Sequence, residues 1–242
     1  SVAASGDIVS ITVGPDKKQF RVHKDTLCHH SEYLRTVFNG RWAESDNKAV
    51  VLEDVDTGVF GIFIDWLYTQ RLPKPSACIV PWWEAKHADV NKDGLHVVLP
   101  LAKAYALGDR IMAPVFRRAV NSQFITNCED RLLHTCSVYE VAIWAFNNIP
   151  ADRPILQFLA DFHCKRWYPG GDRVEEARLY DELPPSFLLR GFRKAKERPF
   201  AAFGNRCYIE HESVAEKNKC WARKNVMHMV YNSQLDLAEF KN

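Results

Sequence analysis

Val22-His23-Lys24-Asp25-Thr26-Leu27-Cys28-His29-His30-Ser31-Glu32-Tyr33-Leu34-Arg35-Thr36-Val37-Phe38-Asn39-Gly40 is the stretch in which the hydrophobic period changes from that of a strand to that of a helix. Upstream, Ile8, Val9, Ile11 and Val13 form a β-branched run, Gly14-Pro15-Asp16 makes a turn, and Phe20 and Val22 alternate with polar neighbours. A β-hairpin is expected there. Within the stretch, Leu27, Leu34, Val37 and Phe38 recur at helical spacing as far as Asn39-Gly40, where glycine supplies a left-handed stop. One or two short helices fit. Downstream, Ala49 to Leu52 is a third brief strand, with Val50 and Val51 both apolar as in a strand buried on both faces. Asp54 or Asp56 caps the next helix, whose residues Val59, Phe60, Ile62, Phe63, Ile64, Trp66, Leu67 and Tyr68 are apolar around most of the circumference. Such a helix is enclosed by others, and it marks the centre of a first domain.

Lys74 to Gly94 breaks the pattern with Pro75, Pro81, the pair Trp82-Trp83 and a polar Asn91-Lys92-Asp93-Gly94 turn, and is expected to be an insertion loop. Helical period resumes through Val98, Leu101, Ala102 and Tyr105 to an expected end at Gly108, with Pro100 requiring a start near Val97 or a kink. Pro114 opens a further helix that turns Phe116, Ala119, Val120 and Phe124 inward. From Cys128 the chain reads as helical for some seventy residues. Ser137-Val138-Tyr139-Glu140 has the form of a capping box, Asp152-Arg153-Pro154 opens a helix through Leu156, Leu159, His163 and Trp167, and Val174 to Leu183 and Phe187 to Arg198 flank Pro184-Pro185. The tail from Pro199 is irregular. The expected organisation is a first domain over residues 6–127, with the 74–94 insertion, and a helical C-terminal extension with an irregular tail over 128–242.

Bulk properties exclude several classes of function. The 242 residues carry 32 basic and 30 acidic side chains, a net charge of +2, which is far from the balance of a surface that coats nucleic acid. No apolar run reaches the roughly 18 residues of a membrane-spanning helix, and Ser1 to Asp7 has neither the basic start nor the apolar centre of a signal peptide. Seven cysteines without paired spacing point to free thiols in a reducing compartment. A soluble protein of the cytoplasm or nucleus is expected, with no membrane, nucleic-acid or small-molecule ligand.

The Val22 to Gly40 stretch resembles the signature of the BTB/POZ family: a strand, His-Lys, a leucine, a serine, an aromatic residue and a phenylalanine. Val50-Val51-Leu52-Glu53-Asp54 and Phe63-Ile64-Asp65-Trp66-Leu67-Tyr68-Thr69-Gln70-Arg71-Leu72 follow at the family's distances, and Gly6-Asp7-Ile8-Val9 and Leu101-Ala102-Lys103-Ala104-Tyr105 also fit. About half the chain is covered, and the combination of this block with a helical tail is similar to the stand-alone BTB proteins of fungi. The resemblance implies an α+β fold, a helix cluster flanked by a small sheet, with an all-helical extension. It also implies a noncatalytic protein-protein interaction module that forms homodimers or docks on a cullin scaffold as a substrate adaptor for ubiquitin transfer. A transcriptional corepressor-type regulator is the alternative the family offers. Two departures stand out. The first strand begins a few residues from Ser1, so the leading segment that many such dimers exchange is expected to be missing or trimmed, and Pro73-Lys74-Pro75 stands where a hydrophobic-x-acidic docking element is found in cullin-binding members.

The expected partner surface is Tyr68, Thr69, Gln70, Arg71 and Leu72 with the neighbouring Asn39, Gly40, Arg41 and Trp42, and Trp82 and Trp83 either pack back or anchor a partner. His23, at the strand-to-helix junction, is expected to tie down the turn by hydrogen bonding. No phosphate-binding glycine loop, nucleophile elbow or dinucleotide fingerprint occurs, and His211-Glu212 lacks the second histidine of a zinc-protease helix, so no catalytic residue and no cofactor is expected. Cys207, His211, Cys220 and His228 suffice in number for a zinc site, and Cys207 and His211 would share a helix face, but their spacing matches no known zinc module. A zinc-binding regulatory protein built on this set is therefore the rival outside the interaction class. Cys28-His29-His30 is poorer still, because consecutive helical residues point about 100° apart. Arg190, Arg193, Lys194, Lys196 and Arg198 form a basic cluster that reads as a solvated helix face or as a patch for nuclear targeting or an acidic partner.

Overall fold

The computed structural model describes residues 6–39, 49–72, 95–129, 138–167, 172, 174–196 and 208–220. The chain separates into two compact units, Ser1–Ile149 and Pro150–Asn242. Among the described residues no helix is long and apolar enough to cross a membrane.

The first unit begins with the expected hairpin. Strand β1, Ile8–Val13, pairs antiparallel with β2, Lys18–His23, so that Ile11 lies opposite Phe20 and Val13 opposite Lys18. Period-2 alternation buries Val9, Ile11 and Val13 on one face. Gly14 turns the chain at φ +75°, and a side chain there would put its Cβ 2.8 Å from Thr57 Cγ2, so the position requires glycine on two counts. Strand β3, Ala49–Leu52, runs parallel to β1 and completes a sheet in the order β2-β1-β3.

This placement corrects the expectation of a β3 buried on both faces. The strand lies at the sheet edge, and its alternation is ordinary: Val50 and Leu52 are buried, whereas Val51 is 58% exposed. Adjacent apolar residues show hydrophobicity, but only the sheet determines which faces are covered.

Helices α1, Lys24–His30, and α2, Glu32–Asn39, occupy the remainder of the signature stretch. Ser31 sits between them and is 1% exposed. Its hydroxyl donates to the Ile111 carbonyl at 2.6 Å and accepts from the Leu34 amide at 3.0 Å, while its own amide donates to the Leu27 carbonyl at 2.9 Å. One small polar side chain therefore ends one helix, starts the next and ties both to a distant loop, which accounts for a buried serine at this position.

Helix α3, Thr57–Thr69, is the enclosed helix expected from its composition. Of the two possible caps, Asp56 takes the role: its carboxylate accepts from the Gly58 amide at 2.8 Å and the Val59 amide at 3.2 Å. Val59, Phe60, Ile62, Phe63, Trp66 and Leu67 are buried. Ring contacts extend the core outward from the helix, with Phe60 on Phe20 at 5.0 Å and Phe63 on Phe116 at 5.0 Å.

Helix α4, Leu95–Arg110, runs through Gly108 and carries Pro100 in its interior. Gly108 was expected to end the helix, but packing explains it better. A Cβ there would lie 3.1 Å from both Phe116 Cδ1 and Arg117 Cβ, so the missing side chain lets α4 approach α5, Pro114–Glu129. Helix α6, Val138–Asn148, buries Tyr139, Val141, Ala142 and Ala145 and packs against α4, which brings residues beyond 127 into the first unit. Ser137 of the expected capping box lies outside the described residues.

The second unit contains α7, Pro154–Arg166, α8, Val174–Ala177, a 3-10 turn at Tyr180–Glu182, α9, Pro185–Lys196, and a short helix over 214–220. α9 packs on α7. The carboxylate of Asp161, fully buried on α7, accepts from the Tyr208 hydroxyl and from Gln157 Nε2 at 2.8 Å. Tyr208 also stacks edge-on against Phe158 at 5.3 Å, so the chain beyond α9 is fastened to α7 at this residue.

Candidate interaction surface

The C-terminal end of α3 carries the residues that the sequence singles out, and the structure shows how they are held. Tyr68 is 45% exposed. Its hydroxyl nevertheless accepts the His23 amide proton at 3.2 Å and stands 2.9 Å from His23 Nδ1, with the two rings edge to face at 5.9 Å. His23 ties down the junction as expected, and the anchor it uses is 45 residues away.

Thr69, Gln70 and Arg71 are exposed and Leu72 is half-buried. The Thr69 hydroxyl donates to the Asp65 carbonyl at 2.7 Å and accepts the Arg71 amide at 3.2 Å. Gln70 adopts φ +53°, the left-handed position that ends a helix, and its amide donates to the Trp66 carbonyl at 2.8 Å. Its side-chain Nε2 donates to the same carbonyl at 3.1 Å. These bonds fold the Gln70 amide back onto the last carbonyls of α3 and leave Tyr68 and Arg71 exposed. Loss of side-chain entropy on binding is reduced for groups already fixed in this way.

On the same helix, Trp66 meets the His30 ring edge to face at 5.0 Å, and His30 meets His29 edge to face at 4.7 Å. Burial, and to a lesser degree the neighbouring His29, hold the His30 pKa below its ordinary value. The neutral form of the His30 ring is thereby favoured. An aromatic surface with hydrogen-bonding groups at its edge suits contact with another protein.

The other expected site residues are placed less completely. Asn39 is exposed at the end of α2, while Gly40, Arg41, Trp42, Trp82 and Trp83 lie outside the described residues. Cys207 and His228 also lie outside them. His211 precedes the 214–220 helix in irregular chain, so the expectation that it shares a helix face with Cys207 fails on His211's own backbone. Its Nδ1 lies 3.8 Å from Glu216 Oε1, and Cys220 closes the short helix. Among the described residues no three His, Cys, Asp or Glu side chains are grouped to hold a metal ion.

The basic cluster also divides. Arg190 turns inward, donating to the Ala151 carbonyl at 2.5 Å and to Gln157 Oε1 at 3.3 Å, and Lys194 is only 6% exposed. Arg193 and Lys196 face out. The expectation of one solvated basic face thus gives way to two faces, because residues three and four apart follow the buried stripe of α9 and their neighbours do not.

One feature escaped the sequence altogether. A cleft of about 320 Å³ in the first unit is lined by Asp54, Asp56, Lys103, Arg110 and Trp144, among others. Arg110 bonds Asp54 at 2.6 Å and holds that carboxyl below the usual range, while Lys103 Nζ lies 6.0 Å from the centre of the Trp144 ring. Its walls come from three separate segments, and no spacing in the chain announces them.

Comparison with known proteins agrees with this architecture. Residues 4–106 match the family model of the BTB/POZ domain. Kelch-like protein 40b of Danio rerio is 40% identical over 55 residues, 23% of this chain and 9% of that protein. Kelch repeat and BTB domain-containing protein 4 of Homo sapiens is 29% identical over 58 residues, 24% of this chain and 11% of that protein. Kelch-like protein 21 of Danio rerio is 34% identical over 62 residues, 26% and 10% of the two chains. The matched part of the chain thus spans 9 to 11% of the length of these relatives. With the hairpin, the Ser31-linked helix pair, the parallel third strand and the enclosed α3 in the expected order, residues 4–106 of this chain are a BTB/POZ domain, a protein-interaction module.

Proposed function

We propose that this chain is a noncatalytic adaptor of the cytoplasm or nucleus that docks a cullin scaffold through the exposed end of α3, Tyr68 to Leu72, together with the 39–42 stretch. The observation that carries the proposal is the exposed Tyr68, held by His23 within a rim whose backbone is satisfied internally. An anchor positioned before binding costs less to immobilise, and aromatic anchors contribute disproportionately at interfaces. The BTB/POZ domain and its Kelch-like relatives support the interaction class.

Biolayer interferometry of the full chain against a purified cullin N-terminal region tests the docking step. Binding in the micromolar range or tighter is expected, with a loss of about tenfold or more for Tyr68→Ala. Absence of binding at micromolar concentration removes the adaptor assignment and leaves the interaction module without this partner.

A further inference from the structure

Helix α9 has its apolar side on the outside. Phe187 is buried against α7, where it stacks with His163 at 5.4 Å, and Arg190, Gly191 and Lys194 follow it on the inward face. Leu188, Leu189 and Phe192 face the other way and are 50%, 49% and 62% exposed. At 100° per residue, Leu188, Phe192 and Lys196 form one row along the helix, and Leu189 and Arg193 form a second beside it. Both rows begin apolar and end in a cation. Lys196 Nζ lies 5.2 Å from the centre of the Phe192 ring, which keeps the charge at the edge of the apolar patch.

The helix residues Pro185–Lys196 include four cations and no carboxylate. Three adjacent half-exposed apolar side chains present on the order of 300 Å², a patch size that in monomeric proteins often marks a binding site. Its area is well below the roughly 800 Å² per partner of a stable protein-protein interface, so a short segment suits it better than a folded domain. The charge complement of the patch is acidic. An anionic membrane would satisfy the charge too, but three half-exposed side chains insert less hydrocarbon than the single acyl chain that already binds membranes only marginally.

We infer that the outward face of α9, Leu188, Leu189 and Phe192 bordered by Arg193 and Lys196, is a docking site for an acidic amphipathic helical peptide. The peptide's apolar residues, at i, i+3 or i+4 spacing, cover Leu188, Leu189 and Phe192, and its carboxylates meet Arg193 and Lys196. The proposal does not depend on cullin docking.

Panning the biotinylated full chain against a random peptide library on phage tests the assignment. Enriched sequences should carry net negative charge with apolar residues at helical spacing. Fluorescein-labelled synthetic copies should bind with micromolar Kd that weakens as salt is raised. Phe192→Asp and the double variant Arg193→Glu, Lys196→Glu should each reduce binding by about tenfold or more. All three positions are exposed, so an unchanged circular dichroism melt shows that the fold is intact. No enrichment, enrichment without acidic bias, or equal binding by the variants overturns the proposal. Phe192-dependent sedimentation of the chain with vesicles of phosphatidylserine and phosphatidylcholine also overturns it and assigns the face to a membrane.

Discussion

The phenolic oxygen of Tyr68, at the end of α3, lies 2.9 Å from Nδ1 of His23 and 3.2 Å from its backbone nitrogen, joining the entry to α1 with the exit from the enclosed helix. This contact fastens the junction of β2 and α1 to the core helix, and it fixes the orientation of a ring that remains open to solvent.

Tyr68→Phe removes both hydrogen bonds while keeping the edge-to-face contact. A net hydrogen bond contributes about 0.5 to 1.5 kcal/mol, and solvent access at Tyr68 places the expected loss near the lower end, about 0.5 kcal/mol. Urea unfolding should show a lower midpoint with an unchanged m-value. In a double-mutant cycle with His23→Ala the two losses should be less than additive, because both substitutions remove the hydrogen bond between His23 Nδ1 and the Tyr68 hydroxyl. Strict additivity would mean that the two side chains are not coupled.

Gly108→Ala tests why glycine stands inside α4. At an open helical position this change would stabilise by up to about 1 kcal/mol. Here the new methyl would lie 3.1 Å from Phe116 Cδ1 and 3.2 Å from Arg117 Cα, and backbone cannot give way as a side chain tip can. Overpacking of this kind costs about 1 to 3 kcal/mol, so a net loss of stability is expected in chemical denaturation. A gain would show that α4 and α5 separate without penalty.

His163 provides a pH dependence within the second unit. Burial lowers its pKa from the ordinary 6.5, opposed by the smaller attraction of Asp172. The unfolded chain therefore binds a proton near pH 6.5 that the folded chain refuses until lower pH. Stability from the neutral ring is complete above pH 6.5 and is lost as pH falls below that value toward the folded pKa. His163→Leu should flatten stability across this window, read as urea midpoints between pH 7.5 and about pH 5. An unchanged slope would show that His163 does not titrate differently in the two states.

Much of the first unit was legible from short-range pattern. The hairpin, the helices from Lys24, the capped α3 and the opening of α5 at Pro114 all follow from periods of two or 3.6 and from turn and cap residues, because those forces act between neighbours in sequence. The surface at Tyr68 to Arg71 was legible for the same reason, being one continuous run. The cleft around Lys103, Arg110 and Trp144 was not, since its walls meet only after three segments pack.

By itself the amino-acid sequence determined which elements form in the first unit, their order and the BTB/POZ character of the first hundred residues, but not the helix over 214–220 or the break between Val174–Ala177 and the 3-10 turn at Tyr180–Glu182. Tertiary structure alone decided which side of each element is covered. Val51 is exposed because it points to the sheet face opposite Val50 and Leu52, Gly108 lies within a helix because α5 presses against it, and Lys194 is buried while Phe192 is not because α9 meets α7 along one stripe. The α3 surface shows the same division: sequence chose Tyr68, and the fold brought His23 to it across 45 residues. Local backbone preference and hydrophobic period are written residue by residue, but burial is a property of neighbours that are distant in the chain, and only their packing assigns it.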